Sequence, residues 1–137
     1  MVISSGIKLE IYDRQSDSGD RAYNFPEKYN KYIKDKIPFT GLGEVYKYAK
    51  YAININTVKN SDTMFARRIF EVMACGCIVI SNESKGLKNI FQNRIWFLGE
   101  AFDHSKEEDY RAINAEYVRH VHTCGLRLEE LIAKVKD

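Results

Sequence analysis

Residues 61–91, SDTMFARRIFEVMACGCIVISNESKGLKNIF, decide the fold. Read in order they give a polar loop, a helix, a tight stop, a strand, a second polar loop and a short helix. At about 100° per residue, Phe65, Ile69, Val72 and Met73 fall on one side of the helix and Arg67, Arg68 and Glu71 on the other. Ser61, Asp62 or Thr63 can cap its start, because a side-chain oxygen there accepts an otherwise unpaired backbone N–H. Gly76 supplies the residue that ends it. Cys77, Ile78, Val79 and Ile80 then run without polar alternation, as a strand covered on both faces does.

Working outward, the same alternation of strand and helix continues on both sides. Residues 51–56, YAININ, read as a strand that hands the chain through the polar run 57–63 to the helix. Before it, Leu42, Val45, Tyr46 and Ala49 repeat at helical spacing. Lys36, Ile37, Pro38 and Phe39 are expected as a short strand, since Pro38 holds its predecessor extended. A further short helix is expected from Pro26 to Ile33, and a first strand over residues 7–12, followed by a polar loop from Asp13 to Asp20 that is either a ligand-approach loop or simply solvated. Downstream, Leu87 to Phe91 form a short helix and residues 94–98 a fifth strand. A helix from about Ser105, carrying Ile113, Tyr117 and Val121, is interrupted near His122 and resumes as an amphipathic terminal helix with Leu128, Leu131, Ile132 and Val135.

The expectation is an α/β fold: a three-layer, Rossmann-like domain with a mainly parallel sheet of about five strands and C-terminal helices, spanning residues 1–137 as a single domain. The chain of 137 residues is 45% hydrophobic and 12% aromatic, enough for a sizeable core. If the sheet is parallel, the loops 57–63 and 81–86 converge on its carboxyl edge, where ligands of such sheets bind.

Charge and motifs exclude several classes. Lys and Arg number 21 against 19 Asp and Glu, a net charge of +2, so no global field draws nucleic acid or anionic membrane and any anion site must be local. No apolar run reaches the length of a transmembrane segment, and the first residues lack a secretory pattern, which points to the cytoplasm. The three cysteines, Cys75, Cys77 and Cys124, form neither a disulfide framework nor a zinc set. His120 and His122, one residue apart, point to different helix faces and make no metal pair. No phosphate-binding P-loop, dinucleotide fingerprint or nucleophile elbow occurs, and Asp13 alone is thin support for a phosphoacceptor domain. Arg67, Arg68 and Glu71 admit two readings. They can serve a phosphorylated, sugar-bearing ligand, with Arg pairing phosphate oxygens and Glu accepting from hydroxyls. Equally, they can pair with one another as an ordinary surface network.

A resemblance bears on that choice. Residues 67–81, RRIFEVMACGCIVIS, resemble the R-x-F-E-x-M-A-C-G segment of group 1 glycosyltransferases, and more narrowly the spore-maturation-protein-like branch. Residues 46–56, YKYAKYAININ, the Lys85-Gly86-Leu87 run with Phe91, and His122-Thr123 followed by Arg127 extend it over most of residues 37–136. The resemblance implies the C-terminal, donor-binding half of a two-domain GT-B enzyme, with a nucleotide-diphosphate sugar as substrate and no metal or other cofactor. It implies that Glu71 contacts the donor ribose, that Ser61, Asp62 and Thr63 lie by the diphosphate and sugar, and that Arg67 assists, with Arg68 beside it. Phe39 and Thr40 fall where a base-contacting loop would be. Thr63 stands where many retaining members carry a second Glu, so no catalytic residue is carried over. An N-terminal acceptor domain would have to be supplied from elsewhere. The alternative is a non-catalytic α/β binding or assembly module that keeps the fold.

Overall fold

The computed structural model describes residues 8–136; Ile7, at the start of the expected first strand, lies outside the described residues. The chain divides into two compact units, one up to Leu42 and one from Gly43 onward.

In the first unit, β1 (Ile11–Tyr12) and β2 (Ile33–Lys34) pair in parallel, Ile11 opposite Ile33. The intervening loop is held by short-range polar contacts: Asp13 accepts from the Gln15 N–H at 2.9 Å and Asp20 from the Ala22 N–H at 2.9 Å. Glu27–Tyr32 form the expected helical segment after Pro26, as a 3-10 helix. The strand expected at residues 36–39 is absent. Pro38 has no N–H to give a ladder and instead opens a 3-10 turn, Phe39–Gly41, whose Gly41 N–H bonds its carbonyl at 2.9 Å.

The second unit alternates as read. After α1 (Leu42–Tyr48) come β3 (Tyr51–Asn54), α2 (Arg68–Ala74), β4 (Ile78–Ser81), α3 (Lys85–Phe91), β5 (Trp96–Phe97), α4 (Glu107–Val121) and α5 (Cys124–Lys136). The three strands form one parallel sheet in the order β3-β4-β5, Ala52 opposite Val79 and Ser81 opposite Phe97. The parallel α/β arrangement and C-terminal helices are thus as expected, with the five strands divided between two sheets. Strand alternation assigns the faces. Ala52, Val79 and Phe97 look toward a core made with Ile69, Val72 and Met73 of α2, Leu87 and Phe91 of α3, and Val118 of α4. Ile78 and Ile80 are buried on the opposite face, so β4 is covered on both sides, as its apolar run requires.

The helix ends have local causes. Gly76, at φ 76°, takes the left-handed position that stops α2, and burial pushes the Cys77 thiol just beyond it up to about 12. Arg111 and Arg119 of α4 donate to the carbonyls of Gly76 and Ala74 at 2.7 and 2.6 Å, filling the acceptors that the end of α2 leaves open. The break between α4 and α5 is a side-chain knot. The Tyr117 hydroxyl donates to the Ile90 carbonyl at 3.0 Å, so it accepts from His122 Nε2 at 2.9 Å, and His122 Nδ1 then accepts from Arg127 at 2.6 Å. Burial and the Arg127 charge lower the His122 pKa, in keeping with a neutral ring. The terminal H-T-x-x-x-R pattern is therefore structural, with Thr123 capping α5 through the Leu126 N–H at 3.3 Å.

At the start of β3 a polar cluster joins the sheet to α4. Glu107, whose side chain is 15% exposed, accepts from the Tyr51 hydroxyl, pairs with His104 Nδ1 at 2.7 Å and faces Lys50 Nζ at 3.4 Å. The Tyr51 and His104 hydrogen bonds hold the Glu107 carboxyl down at about 2, below its ordinary 4.5. A depressed carboxylate contributes stability that is present above its unfolded value and lost as pH falls through the folded one. Wild-type stability, followed by urea unfolding, is therefore predicted to decline between about pH 4.5 and about pH 2, and Glu107→Gln to flatten that decline. An identical acid profile in the variant would contradict the assignment.

Candidate functional site

Three buried residues at the carboxyl edge of the sheet build the site. Asn54 and Asn56 sit at and just beyond the end of β3, and Ser81 ends β4; all three are buried, Ser81 completely. The Ser81 hydroxyl accepts from Asn54 Nδ2 at 3.1 Å and from Asn56 Nδ2 at 3.2 Å, while donating to the Asn82 carbonyl at 3.0 Å. Asn82 returns the contact, its side chain accepting from the Asn56 N–H at 2.7 Å and donating to the Asn56 carbonyl at 2.9 Å. Parallel strands leave their last backbone groups unpaired at this edge, and side-chain amides satisfy them here.

That seam passes the chain into two loops that bind one another. The Lys85 N–H donates to the Lys59 carbonyl at 2.9 Å and the Gly86 N–H to the Ser61 carbonyl at 3.0 Å. Ser84 caps α3 by accepting from the Leu87 N–H at 3.3 Å. Gly86 is needed where it stands, because a Cβ there would come within 3.2 Å of the Met64 backbone N and O. The expected convergence of the loops 57–63 and 81–86 is therefore observed.

Between them lies an open cleft of about 500 Å³ whose walls include Lys59, Asn60, Asn82, Glu83, Ser84, Lys85 and Lys88. Lys88 is paired with Glu83 at 2.9 Å; Lys59 and Lys85 make no ion pair among the described residues. The concave surface at the sheet's carboxyl edge thus carries two lysines without an ion pair among the described residues, the Lys88–Glu83 pair and the Asn60 amide. This is an environment for an anion with hydrogen-bonding substituents.

None of the residues expected from sequence is among those that line it. Ser61 and Asp62 are part of the clasp, Asp62 through its carbonyl, which accepts from Asn89 at 3.2 Å. None of Ser61, Asp62 and Thr63 caps the helix, a correction to the sequence reading: α2 begins at Arg68, and the Ser61 hydroxyl accepts from the Met64 N–H at 3.1 Å instead. The reason is that the backbone of residues 59–64 is committed to α3 and is not free to coil. Thr63 is exposed. Arg67 Nε lies 3.5 Å from Glu71 Oε1, and Arg68 donates to the Ile53 carbonyl at 3.3 Å. Glu71 lies in the first turn of α2, at the end nearest the β3 carboxyl edge. Phe39 and Thr40 are exposed in the 3-10 turn of the first unit. Among the described residues no group of three or more His, Cys, Asp or Glu side chains could hold a metal, and no helix is long and apolar enough to cross a membrane.

Sequence reasoning assigned no lysine to the site, although Lys85 lies in the family-like Lys85-Gly86-Leu87 run, and so missed the role of Lys59, Lys85 and Lys88 as cleft residues. Each looks like an ordinary solvated lysine in one dimension, and only the pairing of residues 59–61 with 85–86 gathers them. The available signal was the pair of polar loops bracketing the apolar strand, which located the edge without singling out its cations.

With this geometry in hand, comparison with known families is decisive at one level. The model of a family described as glycosyl transferase-like matches residues 6–133. The chain belongs to that glycosyl transferase-like family. No curated protein and no solved structure matches it. For this glycosyl transferase-like chain, the sheet edge, clasp and lysine cleft all fall inside the matched region.

The Ser81 hydroxyl is the joint between the strand ends. Ser81→Ala leaves two buried amides without their shared acceptor and is predicted to destabilise the protein by about 1–3 kcal/mol. Urea unfolding of the variant reads this directly, and an unchanged midpoint would show that the amides find other partners.

Proposed function

We propose that the second unit binds a nucleotide-diphosphate sugar, as the donor-binding half of a GT-B glycosyltransferase of the group 1, spore-maturation-protein-like type. The observation carrying this reading is the cleft at the carboxyl edge of β4, along which Lys59 and Lys85 have no ion-pair partner among the described residues. A diphosphate fits such a place because each phosphate oxygen accepts charge-assisted hydrogen bonds, and ammonium groups stabilise the charge that grows on the leaving diphosphate during transfer. The Asn60 amide adds a donor and an acceptor for ribose or sugar hydroxyls.

Glu71 is assigned to the ribose. Its pairing with Arg67 does not oppose this, since the Arg67 side chain is 83% exposed and such an exposed pair within one helix is worth only about 0.3–0.5 kcal/mol. A ribose diol can displace Arg67, which then becomes available to a phosphate. The chain's own residues provide binding, orientation and charge stabilisation. The acceptor side comes from an N-terminal domain outside this unit, and the setting is cytoplasmic. A second reading, a non-catalytic binding module, is favoured by Thr63 at the position of the second family Glu and would retain the cleft without transfer.

Titration of the protein with uridine and guanosine diphosphates, followed by amide NMR, tests the donor reading. Saturable shifts are predicted at residues 57–71 and 82–88, weakened about fivefold or more by Lys85→Ala and by Glu71→Ala, with thermal stability retained because both side chains are at the surface. A folded protein that shows no saturable shift with either nucleotide at millimolar concentration contradicts it. Binding that survives without transfer in a full-length parent would select the non-catalytic module.

A further inference from the structure

We propose that a second cavity, beside the edge strand β5, is a saccharide subsite separate from the lysine cleft. The cavity measures about 390 Å³, the size of a small-ligand pocket, and lies where β5 has no neighbouring strand. Its walls combine two kinds of group. Trp96, Phe102 and Tyr110 supply aromatic surface, Trp96 and Phe102 stacked with centroids 4.3 Å apart and Tyr110 at 5.7 Å from Phe102. Gln92, Asn93 and Glu100 supply polar side chains, none of which has a hydrogen-bonding or ionic partner among the described residues. The Trp96 indole N–H is already committed to the Glu100 carbonyl at 2.9 Å, which fixes the ring and the Glu100 backbone together.

Gln92 adds an independent observation. It is the one non-glycine residue with positive φ among the described residues, at φ 50° and ψ −119°. This conformation suits glycine, and holding a side-chain-bearing residue there costs on the order of 1–3 kcal/mol. The end of α3 thus keeps a strained residue whose amide lines the cavity, where a glycine would relieve the strain and lose the amide.

A rigid aromatic wall faced by unpaired amides and a carboxylate suits a pyranose. The C–H faces of the sugar ring pack on aromatic surface, and its hydroxyls, each both donor and acceptor, pair with amide and carboxylate groups. A free phosphate is disfavoured by Glu100. The saccharide class rests on membership of the glycosyl transferase-like family; the site itself does not depend on the nucleotide reading. Lys88 lines both cavities, so the two adjoin along α3. A saccharide bound here would lie next to the lysine cleft.

Trp96 is the chain's single tryptophan, so the protein's tryptophan fluorescence comes from the aromatic wall of this cavity. The protein is titrated with the methyl glycosides of glucose, mannose, galactose and N-acetylglucosamine, and with uridine as a planar control. At least one glycoside is predicted to shift Trp96 emission saturably in the millimolar range, with affinity reduced about tenfold in Asn93→Ala and Glu100→Ala, both surface changes. Gln92→Gly is predicted to weaken the same binding while raising the unfolding temperature, a combination that a purely structural Gln92 would not give. Lys85→Ala is predicted to leave glycoside binding unchanged, which separates this site from the cleft. No saturable response to any glycoside up to about 100 mM overturns the proposal. So does a response to uridine alone, or an equal loss of binding in Lys85→Ala.

Discussion

The second unit depends on how the carboxyl edge of its parallel sheet is closed, and the Ser81 hydroxyl closes it. One oxygen accepts from two buried amides and donates once, which uses the full capacity of a hydroxyl. Because the group is buried, the alternative to these bonds is not water but unsatisfied amides, so the arrangement has little freedom. The ends of β3 and β4 are thereby locked in register, and the two loops leaving them start from fixed points. The clasp of Lys59 and Ser61 carbonyls on the Lys85 and Gly86 amides follows, and with it the lysine-rimmed cleft.

The same clasp leaves the first amides of α3 without capacity for an anion. In parallel α/β folds the first amides of a helix commonly face the ligand. Here the amides of Lys85, Gly86 and Leu87 are spent on the preceding loop and on Ser84. Positive charge at the edge must come from side chains, and Lys59 and Lys85 supply it. Such charges act over a short range and are screened by salt, so binding through them should be strongly dependent on ionic strength.

What was legible in the sequence divides along physical lines. The period of the apolar residues carried α2, β4, α3 and α4, because burial of Ile69, Val72, Met73 and Leu87 is dictated by pattern and each lies in the core. The converging loops were legible because parallel pairing puts both at one edge. The start of α2 was not. Ser61, Asp62 and Thr63 have good capping chemistry, but their backbone is claimed by α3, a contact made across more than twenty residues that local propensity does not contain. The extended reading of residues 36–39 failed for a related reason, since Pro38 is compatible with both a strand and the turn that forms. The family pattern pointed to Glu71 and Arg67, which do not line the cleft. The lysines could not be found, because a solvated lysine and a cleft lysine look alike until the loops are folded together.

The cleft requires that the two loops be clasped in the free protein, and amide hydrogen exchange at Lys85 and Gly86 measures that most directly. Bonds to the Lys59 and Ser61 carbonyls predict that both amides exchange as slowly as those of β4, although the Lys85 side chain is exposed. Exchange as fast as that of the exposed loop amides around Glu83, in a protein whose β4 amides remain protected, would contradict it and remove the cleft with it.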